Sequence, residues 1–193
     1  MPSIEPFKES LEKFNVDQSV ISQINDGYED ISSKTQKKIR SAYFKRALDI
    51  MEEQLAPQLV HDIFESNACC KGGSRAKASK AFAKEFAGCS LDEKLEKIKS
   101  VPYMGSPIKN NDGTITVNAV SYYKDGKFAC ACPIFNTVKR DYSVSKNYCF
   151  CCAGHFKYHY EIMLGVKLKT IEIVSSPLDS DGRDACVIKY EIV

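Results

Sequence analysis

The stretch GTITVNAVSYYKDGKFACAC, residues 113–132, decides the fold class. Its apolar and polar residues alternate on both sides of Asp125-Gly126, which is the pattern of two half-buried strands. Asp-Gly supplies the two positive φ values of a type I′ turn, so the stretch predicts an antiparallel β-hairpin. The turn also fixes the register, which is predicted to pair Lys124 with Lys127, Tyr123 with Phe128, Ser121 with Cys130, and Ala119 with Cys132.

One face of this hairpin is predicted to be buried, because alternate residues of a strand point the same way. The residues on that face are Ile115, Val117, Ala119, Ser121, Tyr123, Phe128, Cys130 and Cys132. Both cysteines lie opposite small residues in this register. We therefore expect space beside the two thiols.

The residues before the hairpin have helical periodicity instead. The strongest helical pattern runs over residues 33–55. Pro57 suits the first turn of a following helix, and Ser90 with Glu93 forms a capping box that begins another. Residues 1–104 are therefore predicted to be a helical part.

The residues after the hairpin contain one helix and two strands. CFCCAGHFKYHYEIML, residues 149–164, predicts a helix that Gly165 ends. VKLKTIEIV and CVIKYEIV, residues 166–174 and 186–193, alternate as strands do. The sequence thus predicts an α+β fold: a helical N-terminal half, then a β-β-α-β-β part over 105–193 with an antiparallel sheet covered by helices. The two parts are expected to form one compact unit.

Composition excludes some classes of function. The 193 residues include 27 basic and 25 acidic side chains, a net charge of +2, which gives no argument for nucleic acid or for a membrane surface. No apolar run reaches the length of a membrane span, and the N-terminal residues lack the apolar segment of a secretory signal. We therefore expect a cytoplasmic protein, and homo-oligomers are compatible with the sequence.

The nine cysteines are the unusual part of the composition. An odd number excludes complete internal pairing, and reducing compartments disfavour structural disulfides. None occurs in the first 68 residues. The thiols are therefore expected to be free, metal-bound or catalytic.

The densest group of metal-ligating residues lies in KFACACP and NYCFCCAGH. Cys152 and His155 are three residues apart on a predicted helix, so they share a helical face. Zinc accepts Cys₄ or Cys₃His sets, and an iron–sulfur cluster can use the same ligands. The predicted metal site comprises Cys130, Cys132, Cys149, Cys152 and His155. The spacing lacks the paired C-x-x-C of standard zinc modules, so buried free thiols and transient redox pairing stay open as alternatives.

A second group of residues is predicted to line a pocket or to supply a reactive thiol. In CCKGGSR, residues 69–75, a flexible turn leads into a helix, where a carboxylate or phosphate can bind; a solvated basic loop is the alternative. His159 lies one helical turn after His155, as a further ligand or a residue behind the ligands. The complete group is Cys69, Cys70, Arg75, Ser121, Cys151, His159 and Cys186.

The C-terminal residues resemble a known group of domains. A helix ending in MLGVKLKTIEIV, followed by SSPLDSDGRDACVIKYEI, is similar to the end of 4-vinyl reductase-type domains and of 2-amino-thiazoline-4-carboxylate hydrolase-like proteins. Gly165, Gly182 and Cys186 occupy the corresponding places. The resemblance covers about 50–60 residues. It implies an α+β domain with a small-molecule pocket between an antiparallel sheet and helices, and either ligand sensing or hydrolysis.

These observations predict a cytoplasmic small-molecule-binding protein with a Cys/His-lined, metal-binding pocket that holds zinc. One alternative is a hydrolase of a small cyclic amide-like or thiazoline substrate, in which zinc activates water or a cysteine attacks. Another is a redox or metal sensor. Three protein ligands with a bound water would favour the hydrolase, whereas a closed set of four would favour a structural or sensing site. The expected partner is a small molecule, with no nucleic acid and no membrane.

Overall fold

The N-terminal half is helical, as predicted. The structure is a computed structural model that describes residues 3–119 and 121–193, and Ser121 by its backbone alone. The helices are α1 (Ile4–Lys13), α2 (Gln18–Asn25), α3 (Lys37–Gln54), α4 (Pro57–Ser66), α5 (Gly73–Glu85) and α6 (Leu91–Ile98). Pro57 occupies the first turn of α4, and Ser90 and Glu93 form the predicted capping box of α6.

Strands dominate the second half. They are β1 (Ser106–Lys109), β2 (Ile115–Asn118), β3 (Ser121–Lys124), β4 (Lys127–Cys130), β5 (Leu168–Ser175) and β6 (Val187–Ile192). A 3₁₀ helix (Lys146–Cys149) leads into helix α7 (Phe150–Leu164). Gly165 ends α7 with a φ of 74°, as expected for a left-handed cap. The predicted α+β class is confirmed.

The predicted hairpin is β3–β4. Asp125 and Gly126 have φ values of 51° and 78°, which a type I′ turn requires. The pairs Tyr123–Phe128 and Lys124–Lys127, together with the backbone pair at positions 121 and 130, have the predicted register. The predicted pairing of Ala119 with Cys132 stays a prediction, because Val120 between the two paired stretches lies outside the described residues; the Ala119 N–H donates to the Cys186 carbonyl at 2.8 Å.

The strands form two sheets instead of one. The main sheet is antiparallel with the order β1-β2-β6-β5, and β3–β4 forms a two-stranded sheet of its own. β2 pairs with β6, so the alternating stretch is divided between the two sheets. β1, which pairs with β2, was not predicted.

The predicted buried face is buried in the main sheet and at Cys132, but not along the whole hairpin. Ile115, Val117 and Ala119 are buried, but Tyr123 is 69% exposed. The hairpin does not continue the main sheet, so its side chains do not all reach the core. Tyr123 instead packs edge-on against Phe128, with ring centroids 5.0 Å apart.

Helix α7 joins the helical half to the main sheet. On one side, the Tyr190 hydroxyl of β6 donates to the Ala153 carbonyl at 2.8 Å. On the other side, Gly154 packs so closely on α4 that a Cβ there would lie 2.5 Å from the Glu65 carbonyl oxygen. This close packing fixes the position of the first turns of α7 against α4.

An aromatic core lies beneath the helices. We use this name for five fully buried rings: Phe7, Tyr43, Phe44, Phe64 and Tyr148. Neighbouring centroids are 5.2 Å apart for Phe7–Phe44 and 5.4 Å apart for Phe64–Tyr148, within the range of favourable aromatic pairs. None of the helices in the described residues is long and apolar enough to cross a membrane.

The hairpin is attached to the loop before β6. The Phe128 N–H donates to the Gly182 carbonyl at 2.8 Å, and Lys127 forms an ion pair with Asp181 at 3.0 Å. A Cβ on Gly182 would lie 2.8 Å from the Phe128 carbonyl oxygen, so the two backbones need a glycine there. These contacts place Cys130 and Cys132 beside the start of β6.

Candidate thiol-lined binding site

Most of the cysteines border a single cavity. It is partly enclosed, and its volume is about 390 Å³. That volume lies in the usual range for small-molecule pockets. We call it the thiol cavity, and eight of the nine cysteines line it: Cys69, Cys70, Cys130, Cys132, Cys149, Cys151, Cys152 and Cys186.

Four separate segments deliver these thiols. Cys69 and Cys70 follow α4, and the C-x-C of residues 130–132 lies at the end of β4. Residues 149–152 form the junction of the 3₁₀ helix with α7, and Cys186 precedes β6. Cys89, between α5 and α6, does not line the cavity. The convergence is therefore a property of the tertiary fold.

Several of the thiols have polar neighbours. The Cys149 Sγ lies 3.1 Å from the Ser176 hydroxyl oxygen, and the Cys132 Sγ lies 3.6 Å from the Tyr148 hydroxyl oxygen. The Cys132 N–H donates to the Cys130 Sγ at 3.3 Å. These contacts hold the sulfur atoms in the cavity wall.

Burial raises the pKa of several of the cavity thiols. It raises the pKa of Cys132 to about 11. Burial, helped by the neighbouring Cys149 and Cys132, also raises the pKa of Cys130. The pKa of Cys152 is lowered instead, because the Cys151 thiol forms a hydrogen bond with it. A bound partner must therefore compete with protons at Cys130 and Cys132.

His155 brings an unprotonated nitrogen to the cavity wall. Its Nδ1 lies 3.0 Å from the Cys69 carbonyl oxygen, which can only accept, so Nδ1 carries the proton. Burial, with smaller contributions from His159 and Arg75, lowers the pKa of His155 to about 3. The ring is neutral, and its Nε2 lone pair has no hydrogen-bond partner among the described residues. A ring held in this way by a carbonyl is typical of metal-binding histidines.

His159 is not a cavity residue. The ring is fully buried behind the wall, where its Nε2 donates to the Cys70 carbonyl at 3.0 Å. Its Nδ1 lies 2.7 Å from the Ser79 hydroxyl oxygen. Because both nitrogens are engaged, His159 is not placed as a further ligand or a cavity-lining residue; it lies behind the wall, which is the other role that the sequence allowed. Its contacts hold Cys70, whose φ is 60°, in the left-handed conformation.

The remaining walls are mainly apolar. Pro102, Tyr103, Tyr122 and Phe156 line the cavity together with the thiols. The sequence did not predict Tyr103 as a cavity residue, because its position depends on how the turn after α6 packs against α5. Arg75, a predicted pocket residue, also lines the cavity. The side chain of Ser121, another predicted pocket residue, lies outside the described residues.

The predicted ligands meet at this cavity without converging on a point. All five of them, Cys130, Cys132, Cys149, Cys152 and His155, line it. Within residues 3–119 and 121–193, however, no three or more Cys, His, Asp or Glu side chains are arranged to hold a metal ion. The donors surround a volume instead, so a group with several atoms fits their arrangement better than one bare ion.

Comparison with protein-family models, with curated proteins and with solved structures gives no match for this chain. The resemblance to 4-vinyl reductase-type and hydrolase-like domains therefore stays a prediction.

Proposed function

We propose that this protein binds a small molecule in the thiol cavity, and that the thiols and His155 hold a soft transition metal as part of the bound group. Thiolate and imidazole donors suit zinc, copper(I) and iron–sulfur clusters. A metal complex that carries its own ligands, or a cluster, can span the distance between donors that do not converge. The same thiols and His155 can therefore bind either a metal complex or a metal cluster.

The convergence of eight cysteines on one cavity carries this proposal. Free cysteine is often buried simply as a small apolar side chain. If that were its role here, cysteines would also occur among the buried apolar residues of the helical half. The first 68 residues contain none, although they supply much of the buried apolar surface. The selective use of thiols around the cavity supports sulfur chemistry.

Metal analysis of untagged protein, purified without oxygen, tests the proposal. We expect about one equivalent of a soft metal or cluster per chain, lost in Cys132→Ser and kept in Cys89→Ser. Cys89→Ser is the matched control, since this half-buried thiol lies outside the cavity. Absence of metal from the wild-type protein, or equal metal loss in both variants, would contradict the proposal.

A second candidate function is hydrolysis of a small cyclic amide-like or thiazoline substrate. Cys152 and His155 lie on one face of α7, both line the cavity, and the Nε2 of His155 is free to accept a proton. A thiol beside a base is the arrangement of a cysteine nucleophile. If the thiol attacks, metal-free wild-type protein should hydrolyse the substrate and metal-free Cys152→Ala should not. If a metal-bound water attacks, activity and metal should be lost together.

The redox state of the cysteines bears on the compartment. All nine are free. Free thiols persist in reducing compartments, which supports a cytoplasmic location for the protein.

A further inference from the structure

Arg75 is the charged residue of the thiol cavity. Among the described side chains that line the cavity, no other carries a full charge at neutral pH, and none is acidic. The side chain is half-buried, and its guanidinium lies over the Tyr103 ring, 5.0 Å from the centroid. The ring holds the cation at the wall without neutralising it.

The guanidinium has no acceptor among the described residues. No carboxylate lies within 4.0 Å of it, and none of its N–H groups donates a hydrogen bond there. Two other half-buried cations do have partners: Lys157 pairs with Glu65 at 2.5 Å, and Arg140 donates to the Tyr142 carbonyl at 2.7 Å. Arg40 also has a buried Nε without a partner, but it does not line the cavity. An arginine fork without an acceptor, on the wall of a cavity, is suited to an acceptor that arrives with a ligand.

We propose that Arg75 binds an oxyanion group, a carboxylate or a phosphate, of the small molecule that occupies the thiol cavity. The inference rests on the proposed function, because it names the class of ligand for the same site. Guanidinium groups bind both oxyanions through two parallel hydrogen bonds. A ligand with one such group would also provide the negative charge that the cavity wall lacks.

The rest of the wall limits the ligand further. Tyr103 and Phe156 present aromatic surfaces, and Pro102 lies beside them. A cavity of about 390 Å³ has room for a ring-sized compound but not for a nucleotide cofactor of dinucleotide size. The ligand class is therefore a small anion with an apolar or aromatic body.

Alkylation by two nearly isosteric reagents tests this inference. Iodoacetate carries a carboxylate and iodoacetamide is neutral. With each, a cysteine thiolate forms a bond to the methylene carbon while iodide leaves with the electrons of the carbon–iodine bond. Rates are measured cysteine by cysteine, by peptide mass spectrometry, on the reduced full-length chain after chelation. Both reagents meet the same thiol, so its acidity cancels in the ratio of the two rates.

We expect Arg75→Gln to lower the iodoacetate-to-iodoacetamide ratio about fivefold at Cys152, the cavity thiol with a lowered pKa, since it removes one attractive charge near the reagent. Arg75→Lys should keep most of the preference. Lys71→Gln is the matched charge control, because Lys71 is exposed and does not line the cavity. Cys89 is the control within each molecule, and its ratio should not change.

Reversible anions identify the oxyanion. Benzoate and phenyl phosphate have the same ring, so whichever slows alkylation of the wild-type protein more strongly at equal concentration shows which group the site prefers. Benzamide should not protect. An unchanged ratio at Cys152 in Arg75→Gln, an equal loss in Lys71→Gln, or protection by neither anion would each overturn the inference.

The alkylation test of the anion site and the metal analysis of the proposed function can fail independently. If the purified protein holds no metal but the Arg75-dependent preference is present, the metal assignment fails and the anion site stands. If Cys132→Ser removes a bound metal while Arg75→Gln changes no alkylation ratio, the anion site fails and the metal assignment stands.

Discussion

The aromatic core and the thiol cavity lie on opposite sides of Tyr148 and are built in opposite ways. The Tyr148 ring packs on Phe64 and Phe44, at centroid distances of 5.4 and 5.9 Å, whereas its hydroxyl faces Cys132 in the cavity wall. The core is filled by large rings in contact. The cavity is walled largely by small thiols, which leave about 390 Å³ open.

This difference separates stability from binding. Large buried side chains contribute most to folding, because each removes a large apolar area from water. A cysteine removes little, and next to an open cavity it also makes few packing contacts. We therefore expect the core to set the free energy of unfolding and the cavity to set what is bound.

The largest expected effect comes from truncating the core. Phe64→Ala should lower the free energy of unfolding by about 3–5 kcal/mol, because it removes a fully buried ring. Cys132→Ala in metal-free protein should cost about 1 kcal/mol, since a small side chain is lost beside existing space. Urea unfolding measures both. Equal losses would remove the distinction between core and cavity.

A smaller loss in the free energy of unfolding is expected for a substitution where α7 packs on α4. Gly154→Ala should lower the free energy of unfolding by about 1–3 kcal/mol through overpacking, although alanine ordinarily favours a helix. The new Cβ would lie 2.5 Å from the Glu65 carbonyl oxygen and 2.8 Å from the Ala68 Cβ.

Gly88→Ala is the control for this substitution, because no atom lies within 4 Å of a Cβ at that position. Thermal unfolding of both variants makes the comparison. A Gly154→Ala protein as stable as Gly88→Ala would show that α7 can move away from α4, and the position of the cavity thiols would then not be fixed by that contact.

The smallest effect is expected at the exposed surface of the helical half, away from the cavity. The Ser33 side chain and its N–H, the latter at 2.9 Å, donate to the Glu5 carboxylate and lower its pKa from 4.5 to about 2. A carboxyl with a lowered folded-state pKa stabilises the fold above the unfolded value, and that stability is lost as the pH falls from about 4.5 to about 2. Ser33→Ala should make this loss slightly smaller.

Urea unfolding at several pH values across that window measures the change. Ser100→Ala is the control, because its hydroxyl donates to the Lys97 carbonyl instead of to a carboxylate. Identical pH profiles for wild type and Ser33→Ala would show that the hydrogen bond from the Ser33 hydroxyl to Glu5 does not persist in solution.

Local features of the fold were predictable from the sequence, and long-range pairings were not. The Asp125-Gly126 turn, the capping box at Ser90 and the left-handed cap at Gly165 each depend on a few neighbouring residues. The division of the alternating stretch between two sheets depends on the pairing of β2 with β6, whose residues are far apart in the chain. Alternation alone does not show where a strand leaves the core, and Tyr123 was therefore misplaced.

The candidate site shows the same limit. The shared face of the C-x-C and the density of cysteines at the start of α7 pointed to one cluster, and these residues do line one cavity. Helical spacing also suggested His159, but four residues turn a helix by about 400° and advance it by about 6 Å. His159 therefore lies farther along the helix, behind the loop that contains Cys70. The sequence does not predict that this loop would separate His159 from the cavity.

Thermal unfolding with and without a chelator tests most directly the central claim that the thiol cavity holds a soft metal group. Binding to the folded chain alone raises its stability, so chelation should lower the melting temperature of the wild type and of Cys89→Ser by about 5 °C or more. Cys132→Ser should melt at the lower temperature in metal-replete buffer and should not respond to the chelator. Unchanged melting of all three proteins on chelation would contradict the claim.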